Sequence, residues 1–100
     1  MEYEIKEGHG YIKEYDCDCF DRLRFEGVYE NGERNGKGKE YYYSKLKFEG
    51  EYLNGKRNGK GKEYDYDGKL EFEGEYLNGK RNGKGKGYYY DGELEFEGEF

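Results

Sequence analysis

The chain of 100 residues is acidic and rich in aromatic residues, with a formal net charge of −6 and 42% charged residues. Its 14 Tyr and 6 Phe outnumber its Val, Ile and Leu, so aliphatic core material is scarce. The length fits one compact domain or one short repeat array. Ala, Thr, Gln, Pro and Trp are absent, and Ser44 and His9 are the only residues of their types. Most nucleophile and base constellations therefore cannot be built, and an enzyme is not expected.

The N-terminal segment, residues 1–24, is predicted to be a degenerate first repeat that carries a short insert. Cys17 and Cys19 lie in this insert, and a disulfide across one intervening residue would be strained. Their spacing relative to His9 matches neither zinc pairs nor a calcium loop, so we expect surface thiols and neither a metal nor a cofactor. Because no apolar run suits a signal peptide or a membrane span, we expect a cytoplasmic protein.

Two motifs recur along the rest of the chain with one period. The tripeptide Phe-Glu-Gly returns after 23, 24 and 24 residues, at residues 25–27, 48–50, 72–74 and 96–98. A nine-residue motif of the form Asn-Gly-x-Arg-Asn-Gly-Lys-Gly-Lys occurs at residues 31–39, 54–62 and 78–86. Such self-similarity is typical of an array in which each unit is completed by its neighbours. The predicted units are residues 1–24, 25–47, 48–71 and 72–95, with residues 96–100 as the first strand of an incomplete repeat.

Each unit is predicted to contain two short antiparallel strands. Leu70, Phe72 and Gly74 alternate with glutamates at a period of two, which indicates a strand rather than a helix. The Asn-Gly pairs at Asn54-Gly55 and Asn58-Gly59 tolerate positive φ, so the chain should turn back at this point. Such a hairpin is too small to be stable alone and must pair with its neighbours. The expected fold is all-β, an elongated solenoid of antiparallel hairpins.

A second turn is predicted between one unit and the next. Asp67-Gly68 and Asp91-Gly92 lie between two strand patterns and suit a two-residue type I′ turn. In the first full unit Ser44-Lys45 replaces this turn with one residue fewer. That deletion explains why the first period is 23 residues instead of 24.

The recurring glycines and rings are predicted to shape the packing. Gly50 shares a strand face with Phe48 and Tyr52, and we expect it to leave a slot for a ring of the next hairpin. Gly59 and Gly61 are expected to do the same on the return strand. Four units should form a ribbon about 40 Å long. The predicted structural residues are Phe25, Gly27, Phe48, Gly50, Gly59, Gly61, Phe72, Gly74, Gly83, Gly85, Phe96 and Gly98.

The unit resembles the MORN repeat. The resemblance covers residues 25–100 and rests on an aromatic-x-Gly-x-aromatic strand, a Gly-containing turn and a Gly-x-Gly strand. In one unit these positions are Phe48, Gly50, Tyr52, Gly55, Gly59 and Gly61. The chain is also similar to a bacterial-type variant of this repeat. The resemblance implies either a scaffold for protein assembly or a peripheral membrane module that binds phospholipid, and the net negative charge favours the scaffold.

Charge is predicted to segregate into a basic edge and an acidic body. The three nine-residue motifs together carry +10, and the rest of the chain carries −16. Basic residues at successive hairpin tips could meet phosphoinositide headgroups or an acidic protein, or they could simply be solvated. The tyrosines place rings on both faces of the return strand, and one face is a candidate for recognition. The candidate interaction surface comprises Lys56, Arg57, Lys60, Lys80, Arg81, Lys84, Tyr64, Tyr66, Tyr88 and Tyr90.

Partners are predicted only by class. Nucleic acid is not expected, because phosphate contacts need a basic face. The resemblance implies a protein partner, with phospholipid as the alternative, and a location in the cytoplasm or at the periphery of a membrane or the cytoskeleton. The final strand, residues 94–100, has no encoded return strand, so we expect a weak homodimer through this edge, strengthened by salt.

Overall fold

The protein is a single antiparallel β-sheet in which the strands follow one another in chain order. A computed structural model describes residues 2–6, 9–16 and 19–100, and within these ranges it contains nine strands. Their bounds are β1 Glu2–Lys6, β2 His9–Asp16, β3 Cys19–Glu30, β4 Glu33–Tyr42, β5 Lys45–Leu53, β6 Lys56–Tyr64, β7 Leu70–Leu77, β8 Lys80–Tyr88 and β9 Leu94–Glu99. The predicted all-β array of hairpins is confirmed.

The sheet is long and thin, with extents of 42 × 27 × 16 Å, and its length agrees with the predicted ribbon. No helix in the described ranges is long and apolar enough to cross a membrane. Nor do the described residues include a group of three or more His, Cys, Asp or Glu placed to hold a metal ion. The prediction about Cys17, Cys19 and His9 lies outside the residues whose side chains the structure describes.

The Asn-Gly turns are formed as predicted. Asn54 and Gly55 join β5 to β6 with φ of 50° and 83°. Positive φ at both central residues is the signature of a type I′ turn, whose twist suits a two-residue hairpin. The corresponding turns at Asn31-Gly32 and Asn78-Gly79 have the same signs of φ.

The Asp-Gly turns differ from the prediction. The Gly68 amide donates to the Asp65 carbonyl oxygen at 3.0 Å, and the Asp65 amide donates to the Lys69 carbonyl oxygen at 2.9 Å. Gly68 has a φ of 81°, whereas Asp67 has no positive φ. The connection is therefore a three-residue loop with a type I turn and a left-handed glycine, not a two-residue type I′ turn. The Asp65 carboxylate stabilises it by accepting hydrogen bonds from the Asp67 and Lys69 amides.

The first repeat period is one residue shorter because its turn has one residue fewer, as predicted, but the turn lies one position earlier in the sequence than expected. Tyr43 and Ser44 both have positive φ, 50° and 65°, and Tyr42 pairs with Lys45 on either side of them. This two-residue turn begins one residue earlier than Ser44-Lys45. It is one residue shorter than the loop at Tyr66–Gly68, which accounts for the missing residue in the period.

Asn58-Gly59 is not a turn but a bulge inside β6. The register between β5 and β6 shifts between Gly50 and Tyr52, and Gly59 has a φ of 103°. A Cβ at Gly59 would also lie 2.9 Å from the Glu51 Oε1 atom. This glycine is needed for its left-handed backbone, and the expectation that it leaves a slot for a ring is wrong.

Glycines stand directly opposite one another from strand to strand and form what we call the glycine ladder. A Cβ at Gly61 would lie 2.5 Å from Phe48 Cζ and 3.0 Å from Tyr76 Cε1, so a ring of the next hairpin does occupy this slot. At Gly50 the expectation needs correction, because the ring over it belongs to Phe48 of its own strand and the facing atom is the Gly61 Cα. The ladder consists of Gly27, Gly38, Gly50, Gly61, Gly74, Gly85 and Gly98.

Candidate functional site

One face of the sheet, the ring face, carries the aromatic core. Phe48 is fully buried and meets Tyr52 and Tyr76 edge to face, with ring centres 5.8 Å and 5.2 Å apart. Phe25 and Phe72 are equally buried in the neighbouring units. The rings thus form a continuous row across the hairpins, in which each buried phenylalanine contacts the tyrosine of its own unit and a ring of the next unit.

A three-residue cluster covers each buried phenylalanine, and we call it the Tyr–Glu–Arg cluster. The Arg57 guanidinium lies 3.9 Å from the centre of the Phe48 ring. It donates from Nε and Nη2 to the two Glu40 oxygens at 2.9 Å and 3.1 Å, and the Tyr52 hydroxyl donates to the same carboxylate. The other clusters are Tyr29, Glu14 and Arg34 over Phe25, and Tyr76, Glu63 and Arg81 over Phe72.

The electrostatics of these clusters favour fixed protonation states. Burial acts to raise the pKa of Glu40, but the hydrogen bonds from Arg57 and Tyr52 outweigh it and hold that pKa below its usual range. Burial and the hydrogen bond to Glu40 raise the pKa of Tyr52. The carboxylate therefore stays ionised and the phenol stays protonated at neutral pH. Such a cluster stabilises the sheet, and it does not offer a proton that exchanges near pH 7.

The predicted row of cations at the hairpin tips must be corrected. Arg57 and Arg81 do not extend from the tips, because their guanidiniums bind Glu40 and Glu63 and cover buried rings. Lys56 and Lys80 are exposed beside the Asn-Gly turns, as expected. The two arginines belong to the packing of the ring face because a flat guanidinium suits an aromatic ring and a carboxylate at once.

The opposite face of the sheet, which we call the charged face, carries a groove whose floor is the glycine ladder. The groove has a volume of about 980 Å³. Its walls on β3–β9 are Glu26, Lys37, Lys39, Glu49, Glu51, Lys60, Lys62, Glu73, Glu75, Lys84, Lys86, Glu97 and Glu99. The groove therefore combines an apolar floor with walls of both charges.

Charge alternates across this face rather than separating into a basic edge and an acidic body. Lys60 and Lys62 lie opposite Glu75 and Glu73 on the next strand, and Lys62 also lies opposite Glu49 on the previous one. Antiparallel pairing places the Lys-Gly-Lys segments of β6 and β8 between Glu-Gly-Glu segments, where opposite charges attract. The segment of β4 has Glu49-Gly50-Glu51 on one side and Glu26-Gly27-Val28 on the other. The predicted segregation, which followed from the linear sequence alone, is wrong.

The four candidate tyrosines divide into two pairs. Tyr64 and Tyr88 are half-buried, and their hydroxyls donate to Glu49 and Glu73 at 2.5 Å and 2.6 Å. Burial and the contact with Glu49 raise the pKa of Tyr64 to about 12. Tyr66 and Tyr90 lie in the loops between units and are 75% and 63% exposed. Of the four, this second pair exposes ring surface, although the Lys69 ammonium lies over one face of the Tyr90 ring.

Three further exposed rings lie at the connections between units but were left out of the candidate interaction surface. Tyr42, Tyr43 and Tyr89 are 48%, 59% and 53% exposed. The runs Tyr41–Tyr43 and Tyr88–Tyr90 were the available signal, but the turn positions decide which ring of a run leaves the sheet. We call the exposed rings of these loops the tyrosine row, and its members are Tyr42, Tyr43, Tyr66, Tyr89 and Tyr90.

Comparison with known proteins supports the architecture. The sequence pattern of the MORN repeat matches residues 25–46, 48–69 and 72–94, which together make up about two thirds of the chain. No curated protein matches the chain. MORN repeats are typical of scaffold or membrane-binding modules, and the family is generally non-catalytic. Three consecutive matches at the spacing of the observed hairpins establish that the chain belongs to the MORN repeat family.

Proposed function

We propose that the protein is a non-catalytic cytoplasmic scaffold that binds an extended segment of a partner protein along the groove of the charged face. The observation that carries this proposal is the groove itself, which runs over the strands β3–β9 with both charges on its walls. Six strand spacings of about 4.8 Å give it a length of about 30 Å. About nine residues of an extended chain would fill that length.

The charge pattern of the walls indicates what kind of segment would fit. Carboxylates and ammonium groups alternate from strand to strand, so the pattern repeats after two strands, or about 9.6 Å. Every third residue of an extended chain advances about 10 Å. A segment with opposite charges at such intervals would meet complementary groups along the whole groove.

Membrane binding, the alternative that the family resemblance implies, has less support. Lys56 and Lys80 are the tip cations left once Arg57 and Arg81 are paired. Glutamates line the groove throughout, and the chain carries a net charge of −6. An anionic bilayer would repel most of this surface, and each tip lysine adds only about 1 kcal/mol near such a membrane.

The groove and the tips can be tested separately with matched pairs of variants. We expect Lys60→Gln with Lys84→Gln to lose a partner protein that the wild type retains in affinity capture from its own cells. Lys56→Gln with Lys80→Gln changes the same number of charges at the tips, and we expect it to retain that partner. Vesicles that contain phosphoinositides should bind both variants and the wild type weakly at physiological salt. Equal capture by all three proteins, or vesicle binding lost only with the tip lysines, would contradict the proposal.

Self-association through β9 is a separate prediction. In the 100-residue chain β9 pairs with β8 and forms the edge of the sheet, and Phe96 and Phe100 are 38% and 50% exposed. Open strand edges pair with other chains, but Glu97 and its neighbouring glutamates oppose two such edges. We therefore expect a weak dimer that salt strengthens. Sedimentation over a concentration series tests this, and either a strict monomer at high salt or unchanged association after deletion of residues 94–100 would contradict it.

A further inference from the structure

We propose that the tyrosine row binds a proline-rich segment in the polyproline II conformation. This surface lies on the loops between units and is distinct from the groove of the charged face. Its rings are exposed between 48% and 75%, which is unusual for adjacent aromatic side chains that have no partner layer. Exposed, rigid aromatic rings are the surfaces that proline-rich segments contact in known recognition modes.

The rings of the row stand beside a cavity and do not form a flat patch. Tyr42 packs edge to face on Tyr43 with ring centres 4.5 Å apart, and it is inclined at 56° to Tyr66 with ring centres 6.3 Å apart. The cavity has a volume of about 550 Å³, and its lining includes Tyr42, Tyr66, Leu46 and charged side chains of both signs. A pyrrolidine ring is compact and apolar, so it can enter this cavity and pack against the two tyrosines.

The rings are already held in place. The Arg22 guanidinium lies 4.4 Å from the centre of the Tyr43 ring, and the Lys69 ammonium lies 3.9 Å from that of Tyr90. The Tyr90 hydroxyl also donates to Asp67. Because these contacts restrict the rings before any ligand arrives, binding would cost little side-chain entropy. A polyproline II segment likewise loses little freedom, since its backbone is largely preformed.

The spacing of the loops that carry the row matches the ligand. Successive loops, at Tyr42-Tyr43, Tyr66 and Tyr89-Tyr90, are separated by two strands of the sheet, which corresponds to about 9.6 Å. A polyproline II helix repeats after three residues, or about 9.3 Å. One turn of the ligand therefore spans the distance from one loop to the next, and the Tyr42 and Tyr66 rings, whose centres lie 6.3 Å apart, contact the same turn.

The charges around the row favour a basic flank on the ligand. Asp65 and Glu71 line the cavity beside Tyr66, and Asp91 and Glu93 lie in the loop of Tyr89 and Tyr90. Three lysines lie nearby. Lys45 donates to the Tyr66 carbonyl oxygen at 3.2 Å, the Lys69 ammonium lies over Tyr90, and Lys47 lines the cavity with its ammonium 5.9 Å from the centre of the Tyr42 ring. An arginine next to the prolines would meet these carboxylates, so the occupant is a proline-rich segment with an adjacent arginine.

The test uses the full chain and two synthetic peptides labelled for fluorescence anisotropy. One peptide has ten prolines followed by arginine, and the other has alanine in place of every proline. We expect the proline peptide to bind at least about tenfold more tightly than the alanine peptide. We also expect Tyr42→Ala with Tyr66→Ala to weaken its binding at least about tenfold, since aromatic anchors dominate such contacts. Tyr66→Phe keeps the ring and should bind within about twofold of the wild type.

Two comparisons separate this site from the groove and from a lipid surface. Lys60→Gln with Lys84→Gln should leave peptide affinity unchanged, so failure of the groove proposal does not affect this one. Circular dichroism of each variant establishes that the sheet is intact. The proposal would be overturned by equal affinity for both peptides, or by a Tyr42→Ala with Tyr66→Ala variant that binds the proline peptide as tightly as the wild type does. It would also be overturned if the protein bound neutral vesicles through these tyrosines but did not bind the proline peptide.

Discussion

Replacement of Gly74 by valine is expected to destabilise the sheet by at least about 3 kcal/mol, near the upper end of single-residue effects. A Cβ at Gly74 would lie 2.6 Å from the Lys84 carbonyl oxygen and 2.7 Å from the Gly85 Cα. Both atoms belong to the backbone of β8, so they cannot move aside without breaking the pairing of β7 with β8. Urea unfolding followed by circular dichroism measures the loss as a lower midpoint.

Gly98 provides a matched control for this prediction. It occupies the next but one position of the glycine ladder, on the edge strand β9, and no atom outside its two chain neighbours lies within 4 Å of where its Cβ would be. Gly98→Val is therefore expected to change stability by less than about 1 kcal/mol. Equal losses at the two positions would mean that valine acts through strand propensity and not through the close approach of two backbones.

The hairpins could be predicted from the sequence because their signals are local. The alternation around Phe72 and the pair Asn54-Gly55 each lie within a few residues, and the twist of a type I′ turn does not depend on distant contacts. The loop at Asp65–Lys69 was predicted less well. The Asp65 side chain accepts two amide hydrogen bonds from this loop, but it does not set the loop length. The loop Tyr89–Glu93 closes with the same two backbone hydrogen bonds although Tyr89 stands in the position of Asp65. The dipeptides Asp67-Gly68 and Asp91-Gly92 suit a two-residue turn as well, so they do not indicate the longer loop.

The Tyr–Glu–Arg clusters could not be predicted because their members come from different units. Glu40 lies on β4, whereas Tyr52 and Arg57 lie on the following hairpin, 12 and 17 residues further along the chain. Bulges between Glu40 and Tyr41 and between Gly50 and Tyr52 set the register that brings them together. The sequence alone does not show this register, so it predicts Arg57 to be a second exposed cation beside Lys56.

In the C-terminal unit two members of the cluster are replaced at once. The position opposite Phe72 is Gly87, where the equivalent position opposite Phe48 is Glu63. The ring that follows is Phe100 and not a tyrosine, and it packs edge to face on Phe72 with centres 5.4 Å apart. The carboxylate and the phenol are thus replaced together, which avoids a buried carboxylate without its donors.

Replacement of Arg57 by alanine is expected to cost about 3 kcal/mol at neutral pH, because it leaves a largely buried Glu40 carboxylate with one donor and uncovers Phe48. Arg57→Lys should recover little of this, since an ammonium cannot bind both carboxylate oxygens in a plane. Lys86→Ala is the control. Its ion pair with Glu97 has a length of 3.4 Å and side chains that are 48% and 58% exposed, and we expect a change of less than about 0.5 kcal/mol.

The pH dependence of the stability lost in Arg57→Ala shows whether the loss comes from the Glu40 ion pair or from uncovering Phe48. Despite burial, the hydrogen bonds from Arg57 and Tyr52 keep the pKa of Glu40 below its usual range in the folded state. A lowered carboxyl pKa stabilises the fold above the unfolded pKa of about 4.3, and this contribution is lost as the pH falls below that value. The deficit of Arg57→Ala relative to the wild type should therefore shrink between about pH 6 and pH 3, as measured by urea midpoints. A deficit that stays constant over this range would mean that Arg57 stabilises the sheet by covering Phe48 alone.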